Sequence, residues 1–262
     1  MVMGILNCTT DSFYDGGRYL SEKEIIKRIN TIVEEGAGII DVGAYSTKPG
    51  AREVGEKEEL MRLDFALELI RKYHPHIPIS VDTFRAEVAK ELTKCFGDLI
   101  INDISGGTLD AGMFDFIAAS GLPYILMHIQ GTPQNMQDKP VYQDVTREVK
   151  EFFEVRIKQL NDKGVDNIIL DPGFGFGKTV AHNYELLQHT DIFSAMGYPM
   201  LIGISRKSMI YKLLNQTPET ALNGTTVLNT IALLKGAKIL RVHDVKEAVE
   251  AIRIVEMYQK TV

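Results

Sequence analysis

The sequence predicts an α/β protein of the (β/α)₈ barrel class, folded as a single domain over residues 1–262, and three observations carry that prediction. Eight short apolar runs each end on a carboxylate, amide, imidazole, hydroxyl or cation. A helix-like stretch follows each run, and the length of 262 residues is close to the roughly 250 typical of this barrel. Apolar runs bounded by turn residues suit strands buried on both faces. Their regular alternation with helices implies right-handed crossovers and a parallel sheet.

The runs are Val2-Leu6 ending at Asn7, Ile39-Ile40 at Asp41, Ile79-Val81 at Asp82, and Leu99-Ile101 at Asn102-Asp103. They continue with Tyr124-Met127 ending at His128, Ile168-Leu170 at Asp171, Met200-Ile204 at Ser205-Arg206-Lys207, and Ile239-Leu240 at Arg241. Helical periodicity is clearest at 22–35, 56–73, 85–95, 144–161, 219–235 and 245–258. Ser21 before Glu22-Lys23-Glu24 reads as an N-cap, and Gly36 and Gly164 stand where helix-terminating glycines belong. Three loops, 8–20, 45–55 and 129–140, are richer than connection requires, as lids and ligand clamps at a barrel mouth are.

Composition narrows the function. Hydrophobic content of 45% and charged content of 24% are ordinary for a globular protein, and no apolar run approaches the roughly 18 residues of a membrane helix. The two cysteines, Cys8 and Cys95, make neither a disulfide framework nor a zinc motif, and no secretory leader is read, so a reducing cytoplasm is expected. A net charge of −6 argues against a nucleic-acid surface. Cations nonetheless gather at the predicted mouth (Lys48, Lys178, Arg206, Lys207, Arg241 and His243), which points to a small anionic substrate.

In this barrel the carboxyl ends of the strands carry the active site, so the run-ending residues converge. Asp82, Asn102 and Asp171 offer acceptors and an amide matching a heterocycle with adjacent N–H, NH₂ and carbonyl groups, whereas Asp103 and Asp244 read as caps of the next helix. The stretch Asp171-Pro172-Gly173-Phe174-Gly175-Phe176-Gly177-Lys178 is no Walker loop, because Pro172 stands five positions before Gly177 where glycine is required. Its glycines instead admit backbone to a flat ligand beside Phe176 and Asp171, or form only a turn. Lys207, in Ser205-Arg206-Lys207-Ser208, reads as a hydrogen-bonding cation or as an aldolase Schiff-base lysine. Arg241 and His243, two apart on strand eight, share a face and read as an anion clamp. His128 reads as structural.

Taken together, Gly4-Ile5-Leu6-Asn7 with Thr9 and Asp11-Ser12-Phe13, Asp41-Val42-Gly43 with Ser46-Thr47 and Pro49-Gly50, Ser80-Val81-Asp82-Thr83, Ile101-Asn102-Asp103-Ile104, Met127-His128, the 171–178 stretch, Ser205-Arg206-Lys207-Ser208 and Arg241-Val242-His243-Asp244 closely resemble the dihydropteroate synthase family, in order and over nearly the whole chain. The resemblance implies condensation of p-aminobenzoate with 6-hydroxymethyl-7,8-dihydropterin diphosphate in folate synthesis, with Mg²⁺ as cofactor, and a sulfonamide target. It implies that Asp82, Asn102, Asp171 and Lys207 bind the pterin, with Arg241 stacked on it and Met127 lining its pocket. Asn7 with Mg²⁺, Arg241, His243 and Thr47 would hold the diphosphate. Phe13, Thr47, Pro49, Phe176, Lys207 and Ser208 would form the p-aminobenzoate pocket, and Asp11 and Lys48 belong to the first two loops. Asn7, Asp82, Lys207, Arg241 and His243 are the residues the chemistry would depend on. The resemblance also implies a homodimer through late barrel helices, which the apolar face of 219–235 permits.

Three features depart from the family pattern, one being that strand one begins at residue 2, so that the N-terminal hairpin which commonly covers the barrel's bottom in the family is expected to be absent. Thr10 stands for a usual Pro, which loosens the first loop, and Lys48 for a usual Arg, which keeps charge but loses bidentate recognition. The competing readings are a methyltetrahydrofolate-corrinoid methyltransferase on the same barrel and a non-catalytic pterin-binding protein.

Overall fold

Alternation along each strand decides which side chains enter the barrel. The computed structural model describes residues 1–8, 18–45, 54–132, 135–136 and 140–260, the side chains of 18–21 excepted. Among them, eight parallel strands are β1 Val2–Asn7, β2 Ile39–Gly43, β3 Ile79–Asp82, β4 Ile100–Asp103, β5 Tyr124–Met127, β6 Ile168–Asp171, β7 Leu201–Ile202 and β8 Ile239–Val242. They run in the spatial order β6-β5-β4-β3-β2-β1-β8-β7, and a parallel bridge between Leu170 and Met200 closes the ring. Strand seven is shorter than the apolar run Met200-Ile204. The Met200 carbonyl accepts from both Lys238 N (2.9 Å) and Ile239 N (3.1 Å), and beyond Ile202 the chain leaves the ladder toward the mouth.

The connections are α1 Arg18–Glu34, α2 Glu56–Tyr73, α3 Ala86–Phe96, α4 Met113–Ser120, α5 Val145–Asn161, α6 Val180–Gln188, α7 Thr190–Ser194, α8 Ser208–Tyr211, a 3₁₀ turn at Pro218–Thr220, α9 Leu222–Leu234 and α10 Val245–Lys260. Apolar side chains at helical spacing turn inward: Ile25, Ile29 and Ile32 on α1, Leu63, Ala66, Leu67 and Ile70 on α2, and Val149, Phe153, Ile157 and Leu160 on α5. They meet the outward parity of the strands, such as Leu6, Val42, Val81, Ile101, Leu126 and Leu170, in one core. Gly4 is the contact point of α1, since a Cβ there would lie 2.5 Å from Ile32 Cγ2. Asp144 caps α5 through Arg147 N (2.9 Å), and Thr179 with His182 forms a capping box on α6.

Three sequence expectations change. Helix α1 begins at Arg18, so Ser21 lies inside the helix rather than capping it. The 219–235 periodicity divides into the 3₁₀ turn and α9, and α4 and α6, of eight and nine residues, were too short to announce themselves by period. Gly36 and Gly164 do end helices, at φ +96° and +81°.

The inward parity makes two layers. Met3, Ile39, Ile100, Ile125, Ile169, Leu201 and Ile239 plug the barrel with an apolar floor. One pleat further along, the inward positions are Asp41, Asp82, Asn102, Met127, Asp171, Gly203 and Arg241, so a polar layer rests directly on the plug.

Candidate active site

A 740 Å³ cavity opens at the carboxyl ends of the strands. Asn7, Asp82, Asn102, Met127, Asp171, Phe176, Lys207, Ser208, Arg241 and His243, all anticipated from sequence, line it together. Thr10, Asp11, Phe13, Thr47, Lys48 and Pro49 lie outside the described residues.

The polar layer is an ordered charge network. Arg241 Nε donates to Asp41 Oδ2 at 2.7 Å, and its Nη2 reaches Asp41 Oδ2 at 2.6 Å and Asp82 Oδ2 at 3.0 Å. Asn102 Nδ2 donates to the other oxygen of Asp41 at 3.2 Å. Asp41, wholly buried, is therefore the hub that sets both Arg241 and Asn102. Sequence reasoning marked Asp41 as a strand end but gave it no role. The available signal was its parity, since it shares the inward face of β2 with Gly43. Burial raises the Asp82 carboxyl well above its usual range, Arg241 opposing and Asp41 reinforcing the rise. Burial likewise raises Asp171, against the pull of Lys207.

Lys207 follows β7. Its Nζ donates to the Phe174 carbonyl and stands 4.5 Å from the centre of the Phe176 ring. Burial lowers its pKa to about 8, with Asp171 acting the other way. His243 Nδ1 is 3.1 Å from Ser205 Oγ, and burial with Arg241 nearby lowers its pKa to about 4, so the ring is neutral at pH 7. Arg28, reaching up from α1, donates to the carbonyls of His243 (2.7 Å) and Ile5 (3.3 Å) and ties the ends of β8 and β1 together. Facing this polar side is an apolar wall of Ile104, Met127, Ile129, Met136, Phe84 and Phe176.

Several expectations are corrected by this geometry. Lys178 does not face the mouth but is buried beneath the loop after β6. Arg206, at φ +56°, spends its guanidinium on both oxygens of Asp244 (2.6 and 2.9 Å), so Asp244 is an ion-pair partner rather than a helix cap. Two of the glycines of 173–177 admit protein rather than ligand, since a Cβ on Gly173 (φ +69°) would lie 1.9 Å from His128 O and one on Gly177 (φ +62°) 2.4 Å from Gln130 O, whereas Gly175 lines the cavity. Asp103 caps the turn after β4 rather than the next helix, accepting from Ser105 N, Ser105 Oγ and Gly107 N, and also from Tyr124 OH. His128 is buried and structural as expected. Among the described residues no group of three or more His, Cys, Asp or Glu is disposed to hold a metal, and no helix is long and apolar enough to cross a membrane.

A site that combines a polar edge, a flat guanidinium and an apolar wall has known counterparts. Residues 3–243 match the family of pterin binding enzymes. The dihydropteroate synthase of Escherichia coli (strain K12) is 47% identical over 257 residues, covering 97% of this chain and 90% of the relative. The crystal structure of the Yersinia pestis dihydropteroate synthase with a sulfonamide drug complex superposes with a TM-score of 0.91 at 42% identity, covering 99% of this chain and 94% of the other. That of the Xanthomonas albilineans enzyme in complex with 7,8-dihydropteroate gives 0.86 at 35% identity, covering 98% and 93%. The chain belongs to the pterin-binding enzyme family and, within it, to the dihydropteroate synthases, which are transferases.

Proposed function

We propose that the chain condenses 6-hydroxymethyl-7,8-dihydropterin diphosphate with p-aminobenzoate, giving 7,8-dihydropteroate and diphosphate. The observation that carries this reading is the convergence of Asp82, Asn102, Asp171, Lys207 and Arg241, from five strand ends, opposite the wall holding Met127. Asn102 and Asp171 present an amide and a carboxylate to the edge of a flat heterocycle, with Asp82 and Lys207 completing the set. Arg241, pinned at one edge by Asp41 and Asp82, offers its planar face to the ring. Met127 closes the other side.

The diphosphate lies toward the rim, at Asn7, Arg241 and His243. Mg²⁺ takes oxygen ligands and keeps waters and substrate phosphates rather than demanding a protein cage. The exposed amide of Asn7 fits it as a single hard oxygen donor. When bound, Mg²⁺ neutralises charge on the leaving group. The C–O bond to diphosphate breaks, the electron-rich pterin carries the positive charge that develops at its exocyclic methylene, and the aniline nitrogen attacks and releases a proton. Phe176, Lys207 and Ser208 form the described part of the p-aminobenzoate pocket. Phe13, Thr47 and Pro49 are assigned the remainder, Thr47 also serving the diphosphate, and Asp11 and Lys48 are assigned to the closing loops.

The working form is a homodimer, supported by the exposed apolar rows Val227, Ile231 and Leu234 on α9 and Ile254, Met257 and Tyr258 on α10. Both cysteines are free thiols, in keeping with a reducing cytoplasm. Purified protein given Mg²⁺ and both substrates is expected to release diphosphate. Release no greater than that of a heat-killed control would refute the assignment.

A further inference from the structure

We propose that Lys178 is a positioning residue for the p-aminobenzoate half of the site, acting through the loop after β6. The proposal rests on the substrate assignment above. Lys178 is 4% exposed and does not line the cavity. Its Nζ donates to His128 Nδ1 (2.9 Å), Gly173 O (2.9 Å) and Phe176 O (3.0 Å), with His128 O farther off at 3.4 Å. An ammonium has three N–H bonds, and the three nearer acceptors use all of them. Two acceptors sit at opposite ends of the β6 loop and the third on the β5 loop, so one cation staples both. Burial pulls the Lys178 pKa well below its usual value; while the lysine keeps its proton, His128 accepts at Nδ1 and carries its own proton on Nε2.

The stapled loop has little other freedom. Gly173 and Gly177 close against the carbonyls of His128 and Gln130, Gly175 N donates to Asn183 Oδ1 (2.7 Å), and Tyr142 OH donates to Gly177 O (2.9 Å). The same loop delivers the Phe174 carbonyl to Lys207 and places the Phe176 ring under its ammonium. Asp82, Asn102 and Arg241, in contrast, stand on strands and are held through Asp41. Removal of the Lys178 ammonium leaves three buried acceptors without their donor and frees the loop at its centre. The aromatic wall then moves, and with it the carbonyl that holds Lys207, while Asp82, Asn102 and Arg241 on their strands keep their places.

The test is steady-state kinetics with Mg²⁺ on the wild type, Lys178→Met and Lys178→Arg, together with ¹⁵N NMR of the His128 ring. Lys178→Met is expected to raise KM for p-aminobenzoate roughly tenfold or more, and KM for the pterin diphosphate several-fold less than that, because three of its five groups stand on strands held apart from the loop. The His128 Nδ1 resonance shifts in Lys178→Met, and Lys178→Arg recovers part of both effects. Equal losses toward both substrates, or an unchanged p-aminobenzoate KM, in a folded variant would overturn the proposal. If neither lysine variant folds, Tyr142→Phe removes one bond from the same loop and is expected to raise KM for p-aminobenzoate about twofold, and no rise would overturn the proposal. Failure of the wild type to turn over would count against the substrate assignment alone. An unmoved His128 resonance in Lys178→Met would count against the lysine's grip.

Discussion

Asp41→Asn is the substitution most revealing of how the site is held. It preserves volume and removes one charge from a side chain that is wholly buried. In the wild type Asp41 takes Arg241 Nε at 2.7 Å and Nη2 at 2.6 Å, and Asn102 Nδ2 at 3.2 Å. Both guanidinium bonds keep an ionised donor but lose the ionised acceptor, and the new NH₂ stands where Asn102 Nδ2 needs an oxygen, so about 2–3 kcal/mol is lost in all. Arg241 retains Asp82 at 3.0 Å, so it is not orphaned, and the loss stays below the roughly 3–5 kcal/mol of a buried charge stripped of its partner. Relief of repulsion between Asp41 and Asp82 returns part of the cost, because Asp41 is among the groups that raise Asp82. Urea unfolding is expected to show a loss of about 2 kcal/mol, and kcat/KM for the pterin diphosphate to fall roughly a hundredfold as the guanidinium swings toward Asp82. Stability within about 0.5 kcal/mol of wild type, with kcat/KM unchanged, would refute the hub role of Asp41.

Gly203→Val should abolish pterin binding by calorimetry with little loss of stability, because a Cβ there meets only Arg241 and Asp171, at 3.9 and 4.0 Å, and a larger side chain grows between them. Activity should fall on the alkaline side with an apparent pKa near 8 as Lys207 loses its proton, and Lys207→Arg, though slower, should lose that limb. His243 should make the fold acid-sensitive. Between about pH 6.5 and 4 the unfolded chain takes up a proton that the folded chain refuses, so stability falls as pH drops through that window, and His243→Gln should show a shallower fall in urea titrations.

The barrel was legible because its signal is repeated. Six of the eight strand ends carry a polar residue at the position where the pleat turns inward, β5 and β7 having Met127 and Gly203 there, and residues from Asn7 to His243 line one cavity. What sequence left dark was direction. Lys178 reads as a cation at the mouth, but a lysine in a glycine-rich loop can turn under its own backbone; Arg206 does line the cavity, yet, four residues beyond β7, it turns its guanidinium to Asp244, two residues beyond β8. Both contacts span separations of 50 and 38 residues, which no local pattern encodes. Asp41 shows the converse. Its role arises only because β8 closes the ring against β1 and brings Arg241 to it across 200 residues.

The arrangement of charge divides the cavity by depth. Asp41, Asp82 and Asp171 stand in the polar layer with Arg241 and Lys207, and Lys178 lies just beneath the adjoining loop, so among these described groups acids and cations balance in number. Burial pushes Asp82 and Asp171 toward their neutral forms and Lys207 and Lys178 toward theirs. A hydrogen-bonding layer on an apolar plug suits a flat heterocycle. In the proposed reaction the diphosphate reaches from Arg241 toward the rim, where Asn7 and His243 meet solvent, and the scissile bond lies between the two zones. On that reading charge departs outward while the ring that carries the developing cation stays over the buried polar layer, so the interactions that strengthen as the bond breaks are made by groups already held in place.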